Sequence, residues 1–214
     1  TIGSATIDAF VESEAADIVS VSTKKTSTEF MAFPYGAKVE IDSFRTAVGG
    51  GGLNAAANLA NLGFNTSAIF KIGEDFQGKT IKHKVKLAHV DTSNIIESKT
   101  ETSGFSIILL SFEGNRTVLA HRGTNGTIKE NEINYEAIKN SKWLYIAPLN
   151  GNSGAVLDKI AHFAEENNTN VIINPGSSSL KKGLKYFEKI LATAEVVVMN
   201  KEEASLVTKI DVRP

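Results

Sequence analysis

The sequence predicts an α/β domain: helices on both faces of a mainly parallel sheet, three layers in α/β/α order, with a small antiparallel β lid inserted in it. Three observations carry this. From about residue 130 onward, helical patterns alternate with strand-sized apolar runs, Trp143–Ile146, Val171–Ile173 and Val196–Met199. Short apolar runs bracketed by helices are the pattern of strands buried on both faces. Around 10–47 and 104–122 the chain instead alternates apolar with polar residues, as half-solvated antiparallel strands do. The 214 residues, 42% of them apolar, suit one domain with a sizeable core.

Each element follows in order. Ile2–Ile7 reads as an opening strand that ends at Asp8. Ile18–Ser22 and Lys38–Asp42 read as lid strands separated by a polar run and Pro34-Tyr-Gly36. Gly49–Gly52 breaks the chain, and Leu53–Leu62, rich in Ala and Leu, reads as a buried helix stopped by Gly63. Thr66–Ile72 is the next strand and Phe76–Ala88 the next helix. Gly104–Ser111 and Thr117–His121 flank Glu113-Gly-Asn115, a hairpin signal. Helices over 131–140, Ala155–Asn167 and Leu184–Thr193 then lead into the three late strands, and another helix starts near Glu202.

Composition excludes several classes. With 23 Lys and Arg against 24 Asp and Glu, net charge is −1, which argues against a nucleic-acid binder driven by bulk charge. The absence of cysteine excludes a disulfide scaffold, thiolate metal sites and a cysteine nucleophile, and it suits a reducing cytoplasm. No apolar stretch reaches membrane-span length, and the opening, with Asp8 and Glu12, lacks the pattern of a signal peptide. His83, His89, His121 and His162 show no ligand spacing and read as surface or structural residues; Arg116 and Arg122 beside the hairpin strand read as a solvated strand end rather than a clamp for an anionic substrate. The chain opens in a ready-made strand and stops soon after a helix begins, which reads as a C-terminal cut.

In an open parallel sheet, ligands bind beyond the carboxyl ends of the strands. Those positions carry Asp8, Asn150, Asn174 and Asn200, a polar set on one expected edge. Gly49–Gly52 runs straight into a helix with Asn54 near its start. Glycines there admit close backbone approach, and free N–H groups at a helix start favour oxygen-rich ligands. Two motif readings compete. Gly50-Gly-Gly52-Leu-Asn-Ala55, with Asp75 twenty residues on, fits a dinucleotide fingerprint, but the alternating segment before it is unlike a doubly buried first strand. Gly73-Glu-Asp-Phe-Gln-Gly78-Lys79-Thr80 fits the P-loop pattern of an NTPase, but Glu74 and Asp75 would repel phosphate, and no later strand ends in Asp.

A longer constellation supports a third reading instead. Gly50-Gly-Gly-Leu-Asn54-Ala-Ala56, six residues to Gly63 and nine more to Gly73 resembles the first signature of the ribokinase-like (PfkB) carbohydrate kinases. The resemblance extends over nearly the whole chain. Gly3-Ser-Ala-Thr-Ile-Asp8 is similar to that family's opening strand, Gly73-Glu-Asp75-Phe-Gln-Gly78 to its G-x-D-x-x-G, Asn174-Pro-Gly to its strand-end turn, and Asn200-Lys-Glu-Glu203 to its N-x-x-E motif.

The resemblance implies a ribokinase-like core and a kinase that transfers the γ-phosphate of ATP to a hydroxyl of a sugar, nucleoside or related small molecule. It implies that Asp8, Gly50, Gly51, Asn54 and Asn150 lie on the substrate side. Asn174, Asn200 and Glu203 would lie on the phosphate and nucleotide side, with Glu203 and Asn200 holding Mg²⁺ through water. The lid would cover the substrate and supply a homodimer contact. Gly51 and Asn150 stand where the ribokinases proper carry Lys and Glu, so the sugar stays open. The family's second signature, with its Gly-Ala-Gly-Asp and catalytic base, does not occur in these residues, so the chain alone is expected to be inactive. A non-catalytic small-molecule-binding relative is the alternative from another class.

Overall fold

The computed structural model describes residues 1–112, 114–180, 188 and 190–210. They form two compact units: one of the described residues within 1–6, 48–104 and 122–210, the other of those within 7–47 and 105–121.

The first unit is the α/β body. Its strands β9 (Trp143–Ile146), β10 (Asn170–Ile173) and β11 (Val196–Val197) are parallel, with Leu144 opposite Val171 and Ile172 opposite Val196. Another parallel pair joins β5 (Lys71–Gly73) to β6 (Ile96–Ser98). Ile2 links the two sets by bridging in parallel to both Ile69 and Ile146. Alternate residues of β9 and β10 enter the core: Leu144, Ile146, Val171 and Ile173 are buried. Helix α4 (Leu157–Glu166) meets them with Leu157, Ile160, Ala161 and Ala164, the i, i+3, i+4, i+7 stripe that places one helix face on a sheet. The remaining helices described in this unit are α1 (Gly51–Asn61), α2 (Phe76–Leu87), α3 (Tyr135–Lys139), α5 (Ser177–Leu180) and α6 (Lys201–Thr208).

The second unit is antiparallel where its pairing is resolved. β2 (Asp17–Ser22) pairs with β3 (Ser27–Ala32), and β7 (Gly104–Leu110) with β8 (Arg116–His121). β1 (Thr6–Glu12) and β4 (Ser43–Gly49) complete a sheet in the order β4-β1-β7-β8. Both β1 and β4 run from one unit into the other.

Several elements differ from the sequence expectations. The opening segment is not a strand over 2–7; only Ile2 bridges, and the strand is Thr6–Glu12. The reason lies in Ser4 and Ala5, whose polar groups serve α1 and Asn125 instead of a ladder. Residues 66–72 pair in fragments because the partner changes from Asp91 to Ile2 to β6. Lys38–Asp42 is irregular, although its alternation mimics a strand, and the strand starts at Ser43. β3 was hidden in the polar run because its hairpin turns on Thr23–Thr26, closed by Thr23 N–H donating to the Thr26 carbonyl at 2.7 Å, without Gly, Asn or Pro. The helix expected over 131–140 is only Tyr135–Lys139, preceded by a 3₁₀ turn Glu130–Glu132. The helix expected from Ala155 begins at Leu157, after a 3₁₀ segment Gly151–Val156. Half of the expected Leu184–Thr193 helix lies outside the described residues; within it, Glu188 and residues 190–192 are helical.

Candidate functional site

The carboxyl-end edge of the α/β body brings Gly51, Asn174, Asn200 and Glu203 onto one chain of close contacts. Gly51, at the start of α1, lies against Ala147 and Pro148; a Cβ there would stand 3.0 Å from the Ala147 methyl. Pro148 in turn packs on Gly176, where a Cβ would come within 2.7 Å of the proline ring. Ser177 donates to Glu203 Oε1 at 3.0 Å. Asn174 Nδ2 donates to the Val198 carbonyl at 2.7 Å, tying the end of β10 to the residue after β11. The starts of α1, α5 and α6 and the loops after β9 and β10 thus form one continuous rim.

The glycine turn has a structural cause. Gly50 has φ 99°, and a Cβ there would stand 2.7 Å from Ala5 Cα. Only glycine reaches that φ without strain, and nothing larger fits. The N–H groups at the start of α1 are not free, contrary to expectation. Ser4 takes three of them: its Oγ accepts from Gly51 at 3.1 Å, and its carbonyl accepts from Gly52 and Leu53, both at 3.1 Å. Asn54 is exposed one turn in, and Asn150 is half-buried at the head of the 3₁₀ segment with no side-chain capping bond.

Asn200 and Glu203 form a reciprocal capping box on α6. Asn200 Oδ1 accepts from the Glu203 N–H at 2.7 Å, and Glu203 Oε2 accepts from the Asn200 N–H at 3.2 Å. Glu203 is buried, with each carboxylate oxygen holding one hydrogen bond. Each oxygen keeps acceptor capacity for a water. That donor set fits a hydrated Mg²⁺ held through its waters and does not fit a complete protein cage. Among the described residues no group of three or more His, Asp or Glu side chains could hold a metal ion.

In the second unit, Asp8 sits within β1 rather than at a strand end, half-buried. Burial raises its pKa above the usual carboxylate range, and the Ser106 hydroxyl, donating to it, opposes the rise.

Gly73–Thr80 is not built as a phosphate cradle. Asp75 caps α2: its Oδ1 accepts from the Gly78 N–H at 2.7 Å, and both its oxygens accept from Ser103, N–H and hydroxyl, at 2.7 Å each. Glu74 and Lys79 N–H groups go to the Ser98 and Asp75 carbonyls. The N–H groups of Gly73, Glu74, Gly78 and Lys79 are thus engaged within the protein rather than turned to a phosphate, and Lys79 is exposed. All four histidines, Arg116 and Arg122 are exposed, as expected. No sequence pattern marks Asn125 for the site. Only its contacts reveal its importance, and a lone Asn in a Gly-Thr-Asn-Gly turn gives no pattern to detect.

Known proteins resemble the chain consistently. The model of the pfkB family carbohydrate kinases matches residues 15–212. The ribokinase of Staphylococcus aureus (strain COL) is 30% identical over 180 residues, 83% of this chain and 57% of that protein. An ATP-dependent ribose-1-phosphate kinase of Halopiger xanaduensis is 26% identical over 166 residues, 78% of this chain and 54% of that protein. The chain therefore spans between half and two thirds of the length of these relatives. Among solved structures, Arabidopsis thaliana ribokinase complexed with ribose and ATP superposes with a TM-score of 0.77 at 20% identity, covering 100% of this chain and 63% of that one. Burkholderia thailandensis nucleoside kinase in complex with inosine gives 0.74 at 15% identity, covering 97% and 62%. These two share the fold. Among the described residues no helix is long and apolar enough to cross a membrane.

Proposed function

The chain belongs to the pfkB family of carbohydrate kinases, and from that premise we propose that it serves transfer of the ATP γ-phosphoryl group to a hydroxyl of a sugar, nucleoside or related small molecule. The observation that carries the proposal is the rim itself: Gly51, the loop after β9, Asn174, Asn200 and Glu203 follow one another along one sheet edge through direct contacts.

On this reading Asp8, Gly50, Gly51, Asn54 and Asn150 serve the acceptor. A carboxylate and two amides can each bind sugar hydroxyls, since the first accepts and the amides both donate and accept. Asn174, Asn200 and Glu203 serve the phosphate side. Mg²⁺, when bound, would neutralise charge on the transferring phosphate; Glu203 and Asn200 would hold its waters. The capping box fixes both side chains before any ligand arrives, so their orientation costs little at binding. The second unit would act as substrate lid and as the contact of a homodimer, in a cytoplasmic setting. ATP is the proposed donor. The base that takes the acceptor proton is not among these residues, which contain no Gly-Ala-Gly-Asp run.

Asp8→Ala tests the acceptor side. The substitution should weaken sugar binding by roughly 2–4 kcal/mol through loss of a charge-assisted bond, with nucleotide affinity unchanged. Calorimetry with a panel of sugars and nucleosides measures both and names the substrate. Equal sugar affinity in variant and wild type would remove Asp8 from the site.

A further inference from the structure

We propose that Asn125 is a positioning residue that fixes the substrate-side start of α1 through the backbone of Ala5 and Ser4. Its carboxamide grips one residue at two points. Oδ1 accepts from the Ala5 N–H at 2.9 Å, and Nδ2 donates to the Ala5 carbonyl at 2.8 Å. A side-chain amide here replaces the neighbouring strand that Ala5 would otherwise need, which is why the ladder stops at Ile2. The next residue back, Ser4, holds the N–H groups of Gly51, Gly52 and Leu53. Asn125 therefore stands one residue removed from the cap that places Gly50, Gly51 and Asn54.

Asn125 is itself held from several directions. Its backbone carbonyl accepts from Ser153 Oγ at 2.9 Å, and Ser153, fully buried, also accepts from the Ile128 N–H at 2.8 Å. Ser153 follows Asn150 by three residues, so the same turn anchors the loop after β9. The adjacent Thr124, also buried, donates its hydroxyl to the Lys71 carbonyl at 2.7 Å, and its N–H to the Thr102 carbonyl at 2.9 Å. Gly104 leaves the space the amide occupies: any Cβ at 104 would overlap Asn125 Nδ2. The turn Gly123–Gly126 thus hydrogen-bonds to the opening segment, to β5 and to the segment after β9.

The geometry demands an amide. A carboxylate at 125 accepts from the Ala5 N–H but sets an oxygen against the Ala5 carbonyl. Asn125→Asp at neutral pH should thus break one bond of the two and push Ala5 away. Asn125→Ser, small enough to admit a water, is the milder variant.

The proposal rests on the kinase reading for its functional consequence, and the experiment separates the two. Hydrogen exchange is measured residue by residue on the wild type, Asn125→Asp and Asn125→Ser, with calorimetric titration of the sugar and nucleoside panel on the same samples. Exchange at Gly51, Gly52 and Leu53 should rise on the order of tenfold in Asn125→Asp, while amides of α4, β9 and β10 keep their protection. Affinity for whichever panel member the wild type binds should fall on the order of tenfold, with Asn125→Ser between. Unchanged exchange at Gly51–Leu53 in both variants, or an equal rise throughout the unit, would overturn the positioning role. A wild type that binds no panel member would count against the kinase reading alone, because the exchange result still decides about Asn125.

Discussion

At Asp75 a single carboxylate accounts for a stretch of sequence that imitates a nucleotide-binding loop. Burial raises its pKa, but hydrogen bonds from Ser103 and Gly78 outweigh that and hold the carboxyl below its ordinary value. A group with a depressed folded pKa adds stability that is complete above its unfolded pKa and lost as pH falls through the folded one. Asp75→Asn should destabilise the chain by about 2–4 kcal/mol near neutral pH, through a weakened cap and weaker bonds to Ser103. The gap between variant and wild type should close as pH drops below about 4. Urea unfolding at a series of pH values measures it; a gap independent of pH would show that the charge contributes nothing. Asp8 behaves in the opposite sense. Its raised pKa means that ionising Asp8 costs the folded state some stability.

Among elements, β5 shows how a three-residue strand is secured. Lys71 is 3% exposed, yet its Nζ meets Glu101 Oε2 at 2.9 Å and Glu132 Oε1 at 2.8 Å, and donates to the Thr127 carbonyl at 3.3 Å. Burial alone would lower the Lys71 pKa; the two carboxylates reverse that and raise it. The Lys71 hydrogen bond in turn holds Glu101 below the usual range. One ammonium joins β5 to the turns at 101, 127 and 132. Removing one partner of a buried pair strands the others, and the partial exposure of both glutamates moderates the loss. Lys71→Met should cost roughly 2–4 kcal/mol in denaturant unfolding, and Glu132→Gln clearly less because Glu101 stays in place. Equal losses for the two variants would refute the shared clamp.

At the scale of the whole molecule, the α/β body holds Asn174, Asn200 and Glu203, proposed for the phosphate side, in a preset arrangement, while the acceptor base is proposed to lie outside these residues. Positioning and electrostatics supply most of the rate in phosphoryl transfer, and they need that base aimed at the acceptor hydroxyl. Residues 1–214 alone should therefore bind an acceptor without turning it over. A coupled ADP-release assay with Mg²⁺-ATP and the sugar and nucleoside panel measures this. Acceptor-dependent ADP release from these residues would place the base within them.

The sequence by itself determined the class of fold, the late parallel strands, the hairpin over 104–121 and the family. These depend on local apolar periodicity and on residue types at fixed spacing, both of which can be read along one dimension. The tertiary structure decided where backbone donors and acceptors go. Ile2–Ile7 has the composition of a strand, but Ser4 and Ala5 spend their polar groups on α1 and on Asn125, which is 120 residues from Ala5 in sequence. Gly73–Thr80 has the spacing of a phosphate cradle, but Asp75 and Ser103, 28 residues apart, close it. Hydrogen bonds are short-ranged in space and indifferent to separation along the chain, so no local pattern announces which distant partner will satisfy a given group.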